Sequence, residues 1–144
     1  MAQEKCNPNE ILAKKGIRAT GKRILILEEL IKDGALINAN RLHKKLSRFA
    51  SIDLVTIYRV LNLFRDHGVL RSVKEENRSE LFELACQHHQ LHPHFCCKEC
   101  DETICLEPLN FDALKSLFPM AEGYEVDNLK VTFSGTCPTC RKNR

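Results

Sequence analysis

Two Cys-x-x-Cys pairs constrain this chain more than any other feature of its sequence. Cys97 and Cys100 form the first pair, and Cys137 and Cys140 form the second, close to the last residue. A Cys-x-x-Cys turn lets two sulfurs reach one tetrahedral ion, and two such turns complete a four-thiolate Zn²⁺ site. The spacing therefore predicts a structural Zn²⁺ held by these four cysteines.

Further histidines and cysteines surround the first pair. Residues 86–105 hold four of the six histidines and five of the eight cysteines. Imidazole and thiolate together suit Zn²⁺, and residues two apart in a strand point to the same face. We therefore predict a second metal site with ligands drawn from Cys86, His92, His94, Cys105 and Glu107, with His88, His89 and Glu75 as alternatives.

The number of cysteines also bears on the cellular compartment. The N-terminus lacks the apolar stretch of a signal peptide, and no apolar run is long enough to span a membrane. Eight cysteines without such a signal indicate a reducing cytoplasm and metal-bound thiols, not a disulfide framework. Cys96 is either a small buried hydrophobic residue or an oxidisable thiol, and Cys6 is expected to be idle. A thiol redox switch built from Cys6, Cys96 and Cys105 stays open as an alternative.

Charge is distributed unevenly along the chain. Residues 1–84 carry 16 Lys and Arg against 11 Asp and Glu, whereas residues 85–144 carry 6 against 8. A basic first half is the pattern expected of a nucleic-acid-binding region.

The first half reads as four helices followed by a hairpin. Capping residues predict helices that start after Asn7, Thr20 and Asn38, and a fourth that starts after Ser51 or Asp53 and runs to His67. Residues 69–73 and 79–84 are predicted to be two strands around a polar turn at 74–78. Three helices, a recognition helix and a hairpin form a winged helix-turn-helix.

The fourth helix is amphipathic and is the candidate recognition helix. At helical periodicity one face is apolar and consists of Leu54, Ile57, Val60, Leu61 and Phe64. Val55, Arg59 and Asn62 lie opposite, with Thr56 and Tyr58 on the flanks. Arg59 suits phosphate or guanine and Asn62 suits adenine. The alternative is that Tyr58 is half-buried packing and Arg59 an ordinary surface charge.

The second half is small. We predict strands at 94–97, 103–107, 124–126 and 129–133, and a helix at 110–117. So few elements bury little apolar surface alone, which predicts zinc and a homodimer partner as supplements. The expected fold is α+β: a winged-helix DNA-binding domain at 1–84, a hinge at 85–91 and a metal-binding dimerisation domain at 92–144.

Several motifs resemble those of the ferric uptake regulator family, in the same order. They are Gly16-Ile-Arg-Ala-Thr-x-x-Arg, Asp53-Leu-Val-Thr-Ile-Tyr-Arg-Val-Leu-Asn, and Phe82-Glu-Leu followed by His-x-His and the two Cys-x-x-Cys pairs. The resemblance implies a dimeric, metal-dependent transcription factor. It also implies DNA contacts by Arg18, Arg23, Tyr58 and Arg59, structural zinc at the four paired cysteines, and regulatory metal binding by His92 and His94.

Some positions depart from the family pattern. Cys105 falls where many members have an acidic ligand, and Cys86 falls at a hinge position where zinc uptake regulators have cysteine. Gly21-Lys22 stands where the family often has a proline. Soft ligands at the second site favour Zn²⁺, with Fe²⁺ as the alternative if Glu107, Glu75 or His89 replaces Cys105.

The predicted function is a zinc-dependent repressor of metal-uptake genes that binds palindromic operator DNA as a homodimer. An iron- or peroxide-sensing member of the same family is the alternative. No small-molecule substrate is expected, because the His-x-Glu motif of zinc deaminases and any Ser/His/Asp grouping are missing from the sequence.

Overall fold

The computed structural model describes residues 6–34, 36–76, 79–85, 92–108, 110–120, 123–126 and 129–144. The chain divides into two compact units, residues 1–89 and 90–144. This division falls inside the predicted hinge at 85–91. Residues 86–91 lie outside the described part, so the predicted domain boundaries remain predictions.

Four helices form most of the first unit: α1 (Pro8–Lys14), α2 (Gly21–Asp33), α3 (Ala39–Leu46) and α4 (Leu54–Asp66). Each begins where a polar side chain accepts a backbone N–H of the first turn, which confirms the caps predicted at Asn7, Thr20 and Asn38 and selects Asp53 over Ser51. α2 ends at Gly34, whose φ of 63° is in the left-handed region.

An antiparallel hairpin follows the helices: β1 (Leu70–Glu76) and β2 (Ser79–Leu84). The prediction that β1 ends at residue 73 was wrong. A register shift between Ser72 and Lys74 buries Val73, and the polar residues after it still pair with β2. Ile37, just before α3, adds a bridge to Phe82 on the edge of β2.

The core of the first unit joins all four helices to the hairpin. Its fully buried side chains include Leu12, Ile26, Leu42, Ile57, Leu61 and Phe64. α3 and α4 pack together as a helix-turn-helix, and the hairpin packs beside α4 as the wing. The predicted winged helix-turn-helix is confirmed.

The second unit consists of β3 (His94–Cys97), β4 (Thr103–Cys105), α5 (Phe111–Ser116), β5 (Thr132–Gly135) and α6 (Pro138–Lys142). The sheet order is β4-β3-β5, with β4 antiparallel and β5 parallel to β3. The strand at 94–97 and the helix capped by Asn110 are confirmed. Together with the first unit, this makes the α+β class that the sequence predicted.

Three expectations for the second unit were wrong. Residues 124–126 form no strand, and Tyr124 is exposed. The strand predicted at 129–133 is β5 at Thr132–Gly135, because pairing with β3 sets its position. β4 ends at Cys105, two residues earlier than predicted. Among the described residues, no helix is both long and apolar enough to cross a membrane.

Candidate metal centres and nucleic-acid interface

The two Cys-x-x-Cys pairs come together at one end of the second unit. Cys97 ends β3 and Cys100 lies in the turn after it, while Cys137 caps α6 and Cys140 lies within that helix. The four Sγ atoms all lie within 4.8 Å of one another, and Cys100 Sγ is 3.9 Å from Cys137 Sγ. Tetrahedral Zn–S bonds would place sulfurs about 3.8 Å apart, so the donor set fits Zn²⁺.

Backbone N–H groups stabilise negative charge on two of these sulfurs. The Cys137 N–H donates to Cys97 Sγ at 3.3 Å, and the Cys140 N–H donates to Cys137 Sγ at 3.4 Å. Because α6 starts at Pro138, Cys137 takes the capping position with its sulfur facing the first turn. Sequence analysis missed α6, although Cys137-Pro138 is a recognisable helix start.

The four thiols do not ionise equally. Hydrogen bonds from the backbone of Cys137 and then Cys100 lower the pKa of Cys97 to about 6. The hydrogen bond with Cys137, with burial, raises the pKa of Cys140 well above the usual thiol value. The pKa of Cys100 is also raised: the Glu102 backbone stabilises its thiolate, but interaction with Cys97 and burial outweigh this. Four thiolates this close together repel one another, and a bound cation would offset that repulsion.

A second group of possible ligands lies on β3 and β4. His94 is directly opposite Cys105 in the antiparallel register, and the His92 and His94 rings are 4.6 Å apart. One ligand atom from each of His92, His94 and Cys105 lies within 4.8 Å of the others. His94 is 4% exposed, whereas Cys105 is exposed. Two imidazoles and one thiolate form a soft donor set that fits Zn²⁺.

The other predicted ligands are not part of this group. Glu107 is exposed, lies past the end of β4 and belongs to no ligand group among the described residues. Cys86, His88 and His89 lie outside the described residues, as does the side chain of Glu75.

Cys96 belongs to neither ligand group. It is buried on the same face of β3 as His94, and the Thr103 hydroxyl donates to its sulfur at 3.6 Å. Cys6 is buried in the core of the first unit. The burial of Cys96 is what its interpretation as a small hydrophobic residue predicts.

α4 presents the two faces that its sequence predicts. Ile57, Leu61 and Phe64 are 0% exposed, whereas Val55 is 57% exposed. The outward face also carries Arg59 and Asn62, both exposed. Thr56 and Tyr58 are half-buried on the flanks, and Tyr58 packs against the core.

The predicted basic contacts in the first half lie around the start of α2. Arg18 is exposed, and its carbonyl accepts a hydrogen bond at 2.8 Å from Nη1 of the half-buried Arg23. Thr56 hydrogen bonds lower the pKa of the exposed Asp53 carboxyl, and the positive charges of Lys22 and Arg59 lower it further. Lys22 lies in the first turn of α2, which has no acidic residue.

Comparison with known proteins assigns the family. The model of the ferric uptake regulator family matches residues 14–134. The ferric uptake regulation protein of Shigella flexneri is 33% identical over 139 residues, which cover 94% of this chain and 93% of that protein.

Two solved structures share the fold. The crystal structure of the Vibrio cholerae ferric uptake regulator has a TM-score of 0.70 and 32% identity, and the match covers 91% of this chain and 100% of that one. The ferric uptake regulator of Pseudomonas aeruginosa, solved with manganese, has a TM-score of 0.78 at 23% identity over 92% of this chain and 99% of that one. This chain belongs to the ferric uptake regulator family, whose members are transcriptional regulators of metal uptake.

Proposed function

We propose that the protein is a zinc-responsive repressor of metal-uptake genes that binds palindromic operator DNA as a cytoplasmic homodimer. Family membership supports the role in regulating metal uptake. Zinc is proposed as the sensed metal because Cys105 lies close to His92 and His94. A thiolate among the ligands favours Zn²⁺, whereas oxygen ligands would suit Fe²⁺ or Mn²⁺ better.

Two metal sites have separate roles in this proposal. Cys97, Cys100, Cys137 and Cys140 hold a structural Zn²⁺, which ties β3 to α6 in a unit with little core of its own. His92, His94 and Cys105 contribute to the regulatory site, and the hinge residue Cys86 is proposed as its fourth ligand. Zn²⁺ bound there would supply a tetrahedral anchor for these side chains.

The outward face of α4 is proposed to read the DNA. Arg59 suits a phosphate or guanine, Asn62 suits adenine, and the exposed methyl groups of Val55 suit a thymine methyl. Tyr58 is proposed to read the groove beside Val55, with Thr56 next to it on the flank of the helix. Arg18 would enter the minor groove, and Arg23 would contact the sugar-phosphate backbone.

Zinc would regulate DNA binding if it favours the arrangement of the dimer in which the two winged-helix domains match the spacing of the operator half-sites. The shift in DNA affinity cannot exceed the difference in zinc affinity between the DNA-competent and incompetent arrangements. A hundredfold change in operator affinity needs a coupling free energy of about 2.7 kcal/mol.

Exposed apolar side chains of the second unit support a homodimer. Large apolar residues there are solvent-exposed in the single chain: Ile104, Leu117, Phe118, Met120, Tyr124 and Phe133. A soluble monomer rarely leaves so many exposed on a unit of this size, and a second copy of the unit would cover them.

An iron-responsive regulator is the second candidate. The Shigella flexneri relative is named a ferric uptake regulation protein. In that case Cys105 would be a neighbour of the regulatory ion and not one of its ligands.

Operator binding under buffered Zn²⁺, Fe²⁺ and Mn²⁺ in reducing solution distinguishes the candidates. Zinc alone should switch on binding by wild-type protein, and Cys105→Ala and Cys86→Ala should each abolish the switch. Cys96→Ala is the matched control, since Cys96 lies on the same strand face as His94 but in neither ligand group. If Fe²⁺ activates binding equally well and both ligand variants respond normally, the iron-sensing function replaces the zinc-sensing one.

A further inference from the structure

Basic side chains of the first unit fall into two classes. Several are neutralised by carboxylates: Lys45 lies 2.8 Å from Asp33, Arg65 lies 2.8 Å from Glu80, and Arg71 lies 3.0 Å from Glu83. Within the described part of the chain, Arg18, Lys22 and Arg59 make no salt bridge within 4.0 Å, and all three are exposed. Lys14, Lys15, Lys44 and Arg48 are also exposed and make no such salt bridge within the described residues, so the missing salt bridge alone does not single out Lys22. Its position relative to two predicted DNA contacts, Arg18 and Arg59, does so.

Lys22 lies beside the start of the recognition helix. It is in the first turn of α2, which packs against α4. Its charge and that of Arg59 both act on the carboxylate of Asp53, the residue that caps α4. That carboxylate accepts the Thr56 N–H at 2.9 Å, so two cations act on one anion that is already hydrogen-bonded. The local charge around the start of α4 is therefore positive.

The positive charge of Lys22 opposes the dipole of α2. The first turn of a helix favours acidic side chains, because its free N–H groups carry partial positive charge. The first turn of α2 has no acidic residue and carries Lys22 and Arg23 instead. Lys22 thus adds positive charge where the helix itself disfavours it, which is expected if the charge serves a ligand.

We propose that Lys22 is a further DNA-binding residue, which holds a backbone phosphate next to the bases read by α4. The inference rests on the proposed DNA-binding function and adds a contact to it. An ammonium group contacts phosphate as a point charge and reads no base. Lys22 therefore contributes affinity and its salt dependence, and the sequence preference comes from α4.

The salt dependence gives a direct measure of this contact. Removing one phosphate contact lowers the slope of log affinity against log salt by about 0.9. A dimer has two Lys22 residues, so Lys22→Gln should lower the slope by about 1.8. The advantage of wild type over the variant should then shrink by about 12-fold between about 50 and 200 mM salt.

The experiment uses full-length, zinc-saturated protein and two duplexes, one selected from a random library by the wild-type protein and one of scrambled sequence. Lys22→Gln should weaken binding to both by the same factor, and Lys22→Arg should restore the slope. Lys15→Gln is the matched control: Lys15 is exposed and makes no salt bridge within the described residues. Its ammonium lies beside Gly68, past the far end of α4 and about 20 Å along that helix from Asp53.

Each outcome decides the inference. A reduced slope in Lys22→Gln, with a normal slope in Lys15→Gln and Lys22→Arg, supports the contact. If Lys22→Gln has the wild-type slope, or if Lys15→Gln lowers the slope as much, Lys22 is not a phosphate contact even though the protein binds DNA. If selection with the zinc-saturated wild-type protein enriches no duplex from the library, the proposed function is wrong and the inference is overturned with it.

Discussion

The two faces of α4 predict that a substitution on the inner face lowers the stability of the protein, whereas one on the outer face lowers its affinity for DNA. Ile57 is 0% exposed and faces the core of the first unit. Ile57→Ala removes three buried carbon atoms, which costs about 2.4 kcal/mol in transfer free energy at about 0.8 kcal/mol per carbon. The cavity left behind adds to this, so we expect the free energy of unfolding to fall by about 2.5–4 kcal/mol.

Asn62 lies on the opposite face of the same helix and is exposed. Its replacement by alanine should change the free energy of unfolding by less than about 0.5 kcal/mol. If Asn62 pairs with adenine, operator affinity should fall by about 1–3 kcal/mol for each half-site, which is a factor of about 5–150 per half-site.

Urea denaturation followed by circular dichroism measures the first quantity, and operator titration of zinc-saturated protein measures the second. Both should be done at one salt concentration, and the folded fraction of Ile57→Ala should be checked under the titration conditions. The assignment of faces is refuted if Asn62→Ala destabilises the protein as much as Ile57→Ala does. It is equally refuted if Ile57→Ala leaves the urea midpoint unchanged.

Two further predictions concern the end of α2 and the four-cysteine group. Gly34→Ala should lower the free energy of unfolding by about 1 kcal/mol, because a residue with a side chain is strained at a φ of 63°. Urea denaturation measures this change. An unchanged midpoint would show that the backbone at residue 34 adopts another conformation without cost. Zinc binding at pH 7 should release at least two protons, from Cys100 and Cys140 with their raised pKa values, because all four sulfurs bind as thiolates. Cys97, with its pKa of about 6, should release few. Zinc affinity should therefore rise with pH by at least about 100-fold per pH unit, which calorimetry in buffers of different ionisation enthalpy checks; release of fewer than two protons would contradict it.

Features set by neighbouring residues were predictable from the sequence. A helix cap needs only a suitable side chain and the N–H groups that follow it, so Asn7, Thr20 and Asn38 could be identified directly. The inward face of α4 follows from helical periodicity, and the four-cysteine group follows from its spacing.

Features that depend on distant partners were less predictable. Parallel pairing with β3 fixes β5, whereas its own pattern of residues placed its start three positions and its end two positions too early. Both Cys105 and Glu107 were compatible with the sequence as neighbours of the histidines. The β3–β4 register brings Cys105 opposite His94, and no local signal in the sequence specifies that register.

β3 is only four residues long, yet it carries ligands of both candidate metal centres, His94 at its start and Cys97 at its end. Side chains alternate along a strand, so this odd separation directs the two ligands to opposite sides of the sheet. Inserting or deleting one residue between them would turn one ligand onto the wrong side. The length of this strand therefore sets how the two centres are placed relative to each other, and a graft of both into another protein would have to carry the whole strand with it.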